Sequence, residues 1–203
     1  MSQVLEIEFK NLLTKEEFHR LLTAFKLQED DFTLQHNHYL DTAAFHLKEA
    51  GCALRVREKS GRFELTLKQP AAEGLLETNQ RLLQEQAQAL LTTGRLPEGT
   101  VRNSIYSLVA AREDFCHFGT LSTKRAEITY KDGLLVFDHS FYFQREDFEL
   151  EYEVTEKSSG EKHFKKLLND YQIPVRKTDN KVSRFYQEKL RLIKGEKQGE
   201  NHA

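Results

Sequence analysis

Charged side chains alternate with apolar ones along several stretches of the chain, and these are the residues that could do chemistry. Glu6, Glu8 and Lys10 follow this pattern near the N-terminus, and Arg55 and Arg57 follow it further on. On an open sheet such residues form an ordinary solvated face. Inside a closed barrel they would crowd ions of both signs together, which is costly unless ligands, metals or partners satisfy them. The alternation also includes Glu64, Lys68, Glu149, Glu151 and Glu153.

The period of two residues is typical of strands that place one face in an apolar core. Ser60-Gly61 and Asp132-Gly133 are hairpin signals, so the strands on either side of each should pair antiparallel. The strands predicted in this way cover residues 4–10, 54–57, 62–68, 125–130, 134–138 and 148–154.

Helices are predicted in the gaps between these strands. Thr14 and Glu17 form a capping box, and Ser158 with Glu161 makes a similar start to a late helix that stops near Pro174. Two further helices are predicted over residues 82–91 and 98–112.

Length and composition favour one globular domain. The chain has 203 residues and a formal net charge of −2, so a basic surface for nucleic acid is not expected. No repeat or long linker divides the chain, and we therefore expect a single domain over residues 1–194. Residues 195–203 are polar without an apolar anchor and are expected to form a disordered tail.

The sequence favours a cytoplasmic protein that does not enter a membrane. No stretch approaches the roughly 18 apolar residues of a membrane span. The first ten residues carry acids instead of the basic and apolar regions of a signal peptide. Cys52 and Cys116 make neither a disulfide framework nor a zinc site.

An ordered set of short motifs runs through nearly the whole chain. EIEFK occupies residues 6–10, NHYLDT residues 37–42, LRVR residues 54–57 and TLK residues 66–68, and TKRAEI, VFD, ELEYE and NKVSRF follow in that order. In type and order these motifs resemble those of the CYTH superfamily, the triphosphate tunnel metalloenzymes, whose signature is ExExK.

The resemblance implies an α+β fold with a closed eight-stranded antiparallel barrel, helices packed outside it and a C-terminal plug-type helix. It also implies hydrolysis or transfer chemistry on a small-molecule triphosphate, with Mg²⁺ or Mn²⁺ as cofactor. Basic side chains would offset the charge of the triphosphate, Arg with a bidentate fork and Lys as a point charge. Carboxylates would supply the oxygen ligands that Mg²⁺ prefers.

Carried onto this sequence, the family pattern names the site residues. Glu8 and Lys10 are the predicted catalytic residues, with Lys10 beside the terminal phosphate. A shift of the metal pair from Glu149 and Glu151 to Glu151 and Glu153 stays open. The predicted triphosphate-binding residues are Lys10, Arg55, Arg57, Lys68, Arg125, Lys181 and Arg184, and the predicted metal ligands are Glu6, Glu8, Asp138, Glu149 and Glu151.

Some neighbouring residues have ordinary explanations. Asp41 could orient basic side chains instead of binding a metal, and Glu77 could belong to a solvated face or to the tunnel. His36 and His38 have ligand-like spacing, but without a third His in register we expect no metal role for them. Lys124 is next to Arg125 on the same predicted strand and so points to the opposite face. It should therefore lie outside the tunnel.

The leading functional hypothesis is a metal-dependent phosphohydrolase acting on inorganic triphosphate or a compact organic triphosphate. Adenylate cyclase and thiamine triphosphatase are the alternatives within the same family. A non-catalytic polyphosphate or nucleotide sensor is the alternative of another class. The predicted carboxylate metal ligands are all present in the sequence. This argues against a sensor, because a protein that only binds anions would gain affinity by losing these carboxylates.

Overall fold

Eight antiparallel strands form one closed barrel, as the family resemblance implies. The computed structural model describes residues 2–108 and 114–200, with side chains for 3–108 and 114–192. The strands are β1 (Ser2–Leu13), β2 (Thr33–Thr42), β3 (Ala53–Lys59), β4 (Arg62–Pro70), β5 (Leu75–Leu82), β6 (Phe115–Tyr130), β7 (Gly133–Tyr142) and β8 (Arg145–Val154). Around the barrel they follow the order β1-β5-β4-β3-β2-β6-β7-β8.

The helices lie between and after the strands. Within the described residues none is long and apolar enough to cross a membrane. A 3₁₀ turn spans Glu29–Asp31. The helices are α1 (Lys15–Phe25), α2 (His46–Glu49), α3 (Gln84–Thr93), α4 (Thr100–Leu108), α5 (Lys157–Asp170) and α6 (Lys181–Glu200).

Two of the sequence expectations differ from these bounds. The helix predicted over residues 98–112 is α4, and residues 109–113 lie outside the described part. α6 continues through residues 195–200, where a disordered tail is expected, and residues 201–203 lie outside the described part. The single domain over 1–194 stays a prediction.

Strand β1 closes the barrel by changing partner along its length. Its first half pairs with β5, ending with Glu6 opposite Leu75. Its second half pairs with β8, beginning with Ile7 opposite Val154. The alternating acids of β1 therefore lie at the point where the two edges of the sheet meet.

The apolar faces of the strands point outward and are covered by helices. α1 and α5 pack over β1 and β8, where Phe18 and Phe164 are buried. α3 and α4 pack over β4 and β5, where Leu90 and Ile105 are buried. Because the helices cover the apolar faces, the charged faces are left to line the inside of the barrel.

The first predicted hairpin is confirmed and the second is shifted by one residue. Ser60 and Gly61 form the β3–β4 turn, with φ values of 50° and 71°. In the β6–β7 hairpin Tyr130 pairs with Gly133, so the turn is Lys131-Asp132, not Asp132-Gly133. Gly133 instead begins β7, where a Cβ atom would lie 2.5 Å from the Glu153 carbonyl oxygen. β8 thus lies too close to this position for a side chain, which explains why residue 133 is a glycine.

The capping box of α1 is confirmed, whereas the predicted cap of α5 is wrong. Thr14 Oγ1 accepts from the Glu17 backbone N–H at 3.2 Å. At α5 the cap is Glu156, not Ser158, because the Glu156 carboxylate accepts from the backbone N–H groups of Ser158 at 2.9 Å and Ser159 at 2.6 Å. A carboxylate at this position also suits the positive end of the helix dipole.

The cap predicts a pH-dependent stability. The backbone N–H groups of Ser159 and Ser158 lower the pKa of Glu156 to about 2. The pKa of Glu156 is lower in the folded state than in the unfolded state. The stability that the ionised cap gives the folded protein is therefore complete above about pH 4.5 and is lost as the pH falls toward 2. We expect Glu156→Gln to lower the Tm at pH 7 and to have progressively less effect below pH 4, measured by thermal denaturation. An equal Tm loss at every pH would contradict the claim that the ionised Glu156 carboxylate stabilises α5.

Candidate active site

The barrel encloses a cavity of about 560 Å³. The first turns of α6 also line it, through Lys181 and Tyr186 among others. Of the predicted site residues, only Glu149 and Arg184 are missing from its wall, and Glu149 forms ion pairs with both Lys181 and Arg184. The charged residues of the wall are Glu6, Glu8, Lys10, Lys48, Arg55, Arg57, Lys68, Glu77, Arg125, Glu127, Asp138, Glu151, Glu153 and Lys181.

A first acidic group lies where β1 meets β8. The carboxylates of Glu6, Glu8 and Glu153 offer oxygen atoms within 4.8 Å of one another. This closeness follows from the register, which places Glu8 directly opposite Glu153. Lys68 contacts Glu6 at 2.6 Å, and Lys10 forms an ion pair with Glu8. Burial raises the pKa of Glu153 to about 7, since Arg125 lies no closer than 3.8 Å.

A second acidic group, formed by Asp138, Glu149 and Glu151, is already neutralised by basic side chains. Its oxygen atoms also lie within 4.8 Å of one another. Lys181 forms ion pairs with all three carboxylates, at 2.8 Å for Asp138. Arg125 contacts Asp138 at 2.6 Å and Glu151 at 2.8 Å. The predicted metal ligands are therefore divided between two groups with different surroundings.

Lys181 and Arg184 attach α6 to the barrel. Arg184 contacts Glu149 at 2.7 Å and Asp147 at 2.9 Å. Burial by itself would lower the pKa of Lys181. The carboxylates of Asp138, Glu149 and Glu151 have the larger combined effect and raise the pKa of Lys181 well above the usual range. The plug-type helix is thus α6, whereas α5 belongs to the outer layer.

Removing the ammonium of Lys181 should destabilise the protein. In Lys181→Met three buried carboxylates lose a shared partner, and breaking a buried ion pair costs about 3–5 kcal/mol. A loss of about 3 kcal/mol corresponds to a Tm lower by about 6–12 °C in a chain of this size. Lys189→Met, at a half-buried position of the same helix where the ammonium lies over the Phe143 ring, is the matched control and should lower the Tm far less. Equal Tm values for the two variants would contradict this role of Lys181.

The opposite wall of the cavity carries a chain of paired charges. Lys68 lies between Glu6 and Glu77, at 2.6 Å from each. Arg55 lies 3.8 Å from Glu77. Burial disfavours the charged form of Glu77, yet Lys68 and Arg55 prevail and lower its pKa to about 2. Glu77 thus belongs to the tunnel, which the sequence left undecided.

Arg57 differs from its neighbours because no described carboxylate lies within 4.0 Å of its guanidinium. Its Nε donates to Asn37 Oδ1 at 3.1 Å, which leaves the terminal nitrogens directed to the cavity without an acidic partner. Burial and the nearby Arg55 and Arg125 lower the pKa of Arg57 to about 10. An anion in the cavity would relieve this repulsion.

Asp41 has a structural role. Its carboxylate accepts backbone N–H groups from Thr42 at 2.8 Å, Leu47 at 2.9 Å and Lys48 at 3.0 Å. These bonds hold the segment that connects β2 to α2, and Asp41 belongs to neither acidic group. Lys124 lies outside the tunnel, as predicted, and forms an ion pair with Glu29.

Sequence reasoning did not assign two of the wall contacts. The role of Asn37 in orienting Arg57 depends on the pairing of β2 with β3, which places these two residues opposite each other. Glu77 is directly opposite Lys68 in the pairing of β4 with β5. An alternating pattern shows a residue's face, but not its neighbour across the sheet.

The model of the CYTH domain family matches residues 5–186 of this chain. The chain belongs to the CYTH family. It is 47% identical, over 95% of its length and 100% of the relative's, to a Bacillus subtilis (strain 168) protein named "Putative triphosphatase YjbK". The resemblance inferred from the motifs is therefore confirmed.

Solved CYTH structures share the barrel. A crystal structure from Bacillus halodurans, described as "a putative adenylate cyclase", matches with a TM-score of 0.88 and 43% identity, over 92% of this chain and 100% of that one. A Hippeastrum protein, described as a "putative adenylyl cyclase" with "a dominant triphophatase activity", matches with a TM-score of 0.77 and 24% identity, over 91% of this chain and 96% of that one. At this identity the Hippeastrum protein supports the fold alone.

Proposed function

We propose that this CYTH protein is a divalent-metal-dependent triphosphatase that hydrolyses inorganic triphosphate or a compact organic triphosphate. The observation that carries the proposal is Arg57, whose guanidinium lines the barrel cavity without an acidic partner among the described residues. A buried cation of this kind is costly unless an anion joins it. The identity with a relative named as a triphosphatase supports the same activity.

The first acidic group fits a hard divalent cation better than the second. Glu6, Glu8 and Glu153 offer only carboxylate oxygens, the donors that Mg²⁺ and Mn²⁺ prefer. Lys181 already occupies the centre of the second group, formed by Asp138, Glu149 and Glu151. We therefore infer that Glu6, Glu8 and Glu153 hold the metal, whereas the second group attaches α6.

The charges of the wall support binding of an anion together with a cation. The fourteen charged wall residues are seven acids and seven bases, so the wall is formally neutral. A triphosphate brings about four negative charges at neutral pH. Entry of the anion alone would leave the cavity strongly negative, and a divalent cation offsets this charge. Joint occupancy is therefore favoured over binding of either ion alone.

In the proposed reaction the protein positions the substrate and stabilises charge. Asn37 fixes the Nε edge of Arg57, so that its terminal nitrogens are free for bidentate contacts to phosphate oxygens. Lys68 is held between Glu6 and Glu77 and cannot swing away from the wall. When bound, the metal would neutralise phosphate charge and lower the pKa of the attacking water. Phosphoryl transfer needs no protein nucleophile, and positioning with charge stabilisation suffices.

Phosphate release tests the proposal directly. Inorganic triphosphate, ATP and thiamine triphosphate are incubated with Mg²⁺, with Mn²⁺ and with a chelator. We expect turnover of at least one substrate with metal, fastest with inorganic triphosphate, and none with the chelator. Turnover that persists with the chelator would contradict metal dependence.

The same samples separate the alternatives. The Bacillus halodurans relative makes adenylate cyclase the second candidate, and formation of cyclic AMP from ATP would favour it. Tight triphosphate binding without turnover of any substrate would favour a non-catalytic sensor.

A further inference from the structure

One end of the cavity opens between α2, the start of β3 and α6. Each of these parts contributes an exposed residue to the cavity wall: Lys48 from α2, Gly51 from the loop before β3, and Gln187 from α6. This opening is called the α2 mouth below. The function proposed above assigns no role to Lys48, although its side chain faces the same cavity as Arg57.

The ammonium of Lys48 forms no ion pair with a carboxylate of the described residues. It lies instead over two aromatic rings, 5.4 Å from the centroid of Phe45 and 5.7 Å from that of Tyr186. An ammonium in such a cation–π contact keeps its charge, and its N–H groups stay free to donate to an anion. Lys48 therefore offers an unused cation at the edge of the cavity.

The rings of Phe45, Phe118 and Tyr186 form a packed aromatic shelf under Lys48. Phe45 and Phe118 are stacked with centroids 4.7 Å apart, and Tyr186 lies 5.9 Å from each of them. The backbone of Phe45 is in the left-handed region, with φ of 62°, which a bulky side chain rarely adopts. The Asp41 carboxylate holds the next turn by accepting the backbone N–H of Lys48 at 3.0 Å. The shelf and this bond fix the place of Lys48 at the mouth.

Lys48 continues a line of cations that leads from the interior to the α2 mouth. Arg57 and Arg55 lie on the cavity face of β3, and Ala53 on the same face begins the strand at the mouth. The Nε atom of Arg55 is buried and has no hydrogen-bond partner in the described part of the chain. A chain of phosphates with its inner part at Arg57 would therefore pass Arg55 and reach Lys48.

The opposite end of the cavity carries acids. Glu127 and Glu153 line it there with side chains that are 37% and 31% exposed, and Arg125 lies 3.8 Å from each. Arg125 pairs with Thr33, the first residue of β2, whereas α2 follows the last residue of that strand, so the two mouths are at opposite ends. Acids at one end and bases at the other favour an anion at the α2 mouth.

The proposed metal group sets the direction of the substrate. Glu153 belongs to that group and lies at the acidic end, so the phosphate that is cleaved lies toward this end. The outer phosphate, at the other end of the triphosphate, then lies at the α2 mouth. In inorganic triphosphate the outer phosphate is a terminal group with a charge of about −1.5 to −2 at neutral pH. In an ester such as ATP it carries an organic group in place of one ionisable oxygen.

We propose that Lys48 is a specificity-determining residue, which contacts the outer phosphate and makes the site prefer inorganic triphosphate over a triphosphate ester. This inference rests on the proposed function and selects between its two substrate classes. An inorganic triphosphate places a charged terminal group beside the ammonium. An ester places a less charged phosphate there and directs its organic group against Lys48 and the aromatic shelf.

Substrate preference in Lys48→Met tests the proposal. The affinities of inorganic triphosphate and ATP are measured with Mg²⁺, as KM for a ligand that is hydrolysed and as an inhibition constant for one that is not. Loss of one charge-assisted hydrogen bond should weaken the affinity for inorganic triphosphate by about 10-fold. The affinity for ATP should fall much less, so the preference narrows. Lys48→Arg keeps the cation and should keep the preference.

The matched control is Lys131→Met. Lys131 is also exposed and lies 5.7 Å from an aromatic centroid, that of Tyr130, but it does not line the cavity. This variant should keep the preference of the parent. An unchanged preference in Lys48→Met, or an equal loss of both affinities, would overturn the role of Lys48. If the parent hydrolyses neither ligand, the proposed function fails, and calorimetric affinities of the same two ligands decide the role of Lys48 separately.

Discussion

Glu153→Gln is expected to lower kcat for triphosphate hydrolysis by at least about 100-fold, which corresponds to about 2.7 kcal/mol of transition-state stabilisation. Glu153 belongs to the acidic group without a central lysine, and its amide replacement removes a charged oxygen ligand from the proposed metal. Triphosphate binding should remain measurable because Arg57 is untouched. Steady-state kinetics with Mg²⁺ and calorimetry with triphosphate give the two values. Glu8→Gln should behave in the same way.

The matched control is Glu149→Gln, on the same strand and the same face. Glu149 contacts Lys181 and Arg184 and does not line the cavity, so its amide variant should keep most of the turnover. The two variants therefore distinguish the two acidic groups. Loss of turnover in Glu149→Gln with normal activity in Glu153→Gln would favour the metal pair Glu149 and Glu151 of the sequence prediction.

Arg57→Gln is expected to separate activity from stability. Two charge-assisted hydrogen bonds to phosphate oxygens are lost, and at about 1.5 kcal/mol or more each this lowers kcat/KM by about 100-fold. The Tm of the ligand-free protein should be equal to or higher than that of the parent, because repulsion between Arg57 and its neighbours Arg55 and Arg125 disappears. Kinetics and thermal denaturation measure the two effects.

Arg125→Gln provides the contrast for this experiment. Arg125 contacts Asp138 at 2.6 Å and Glu151 at 2.8 Å, so its removal leaves Lys181 as the remaining cationic partner of these two buried carboxylates. Breaking such pairs costs about 3–5 kcal/mol and should lower the Tm clearly. A Tm loss in Arg57→Gln as large as that in Arg125→Gln would show that Arg57 has an acidic partner and is not free for substrate.

Most of the fold was predictable because its signals are local. The period of two in the strands, the capping box at Thr14 and the Ser60-Gly61 turn each depend on a few adjacent residues. One error falls where a tertiary contact decides: Gly133 is explained by the approach of β8, which a dipeptide pattern does not contain. The other error is local. The Glu156 carboxylate, instead of the Ser158 hydroxyl, accepts the backbone N–H groups at the start of α5.

The candidate site was predictable as a set of residues but not as a set of pairs. Alternation and the family motifs correctly assigned Glu6, Arg57 and Lys68 to the cavity wall. Which acids share a cation depends on register between strands distant in sequence, and that register places Glu153 opposite Glu8. The position of Lys181 depends on α6 returning to the barrel, which no local pattern encodes.

The change of partner along β1 has a consequence for biosynthesis. Glu6 and Glu8 are made first, but Glu153 and the pairing of Ile7 with Val154 come only after most of the chain has left the ribosome. Contacts so far apart in sequence form late and slowly. We therefore expect nascent and C-terminally truncated chains to be catalytically silent, with hydrolysis starting only once the last strand has docked.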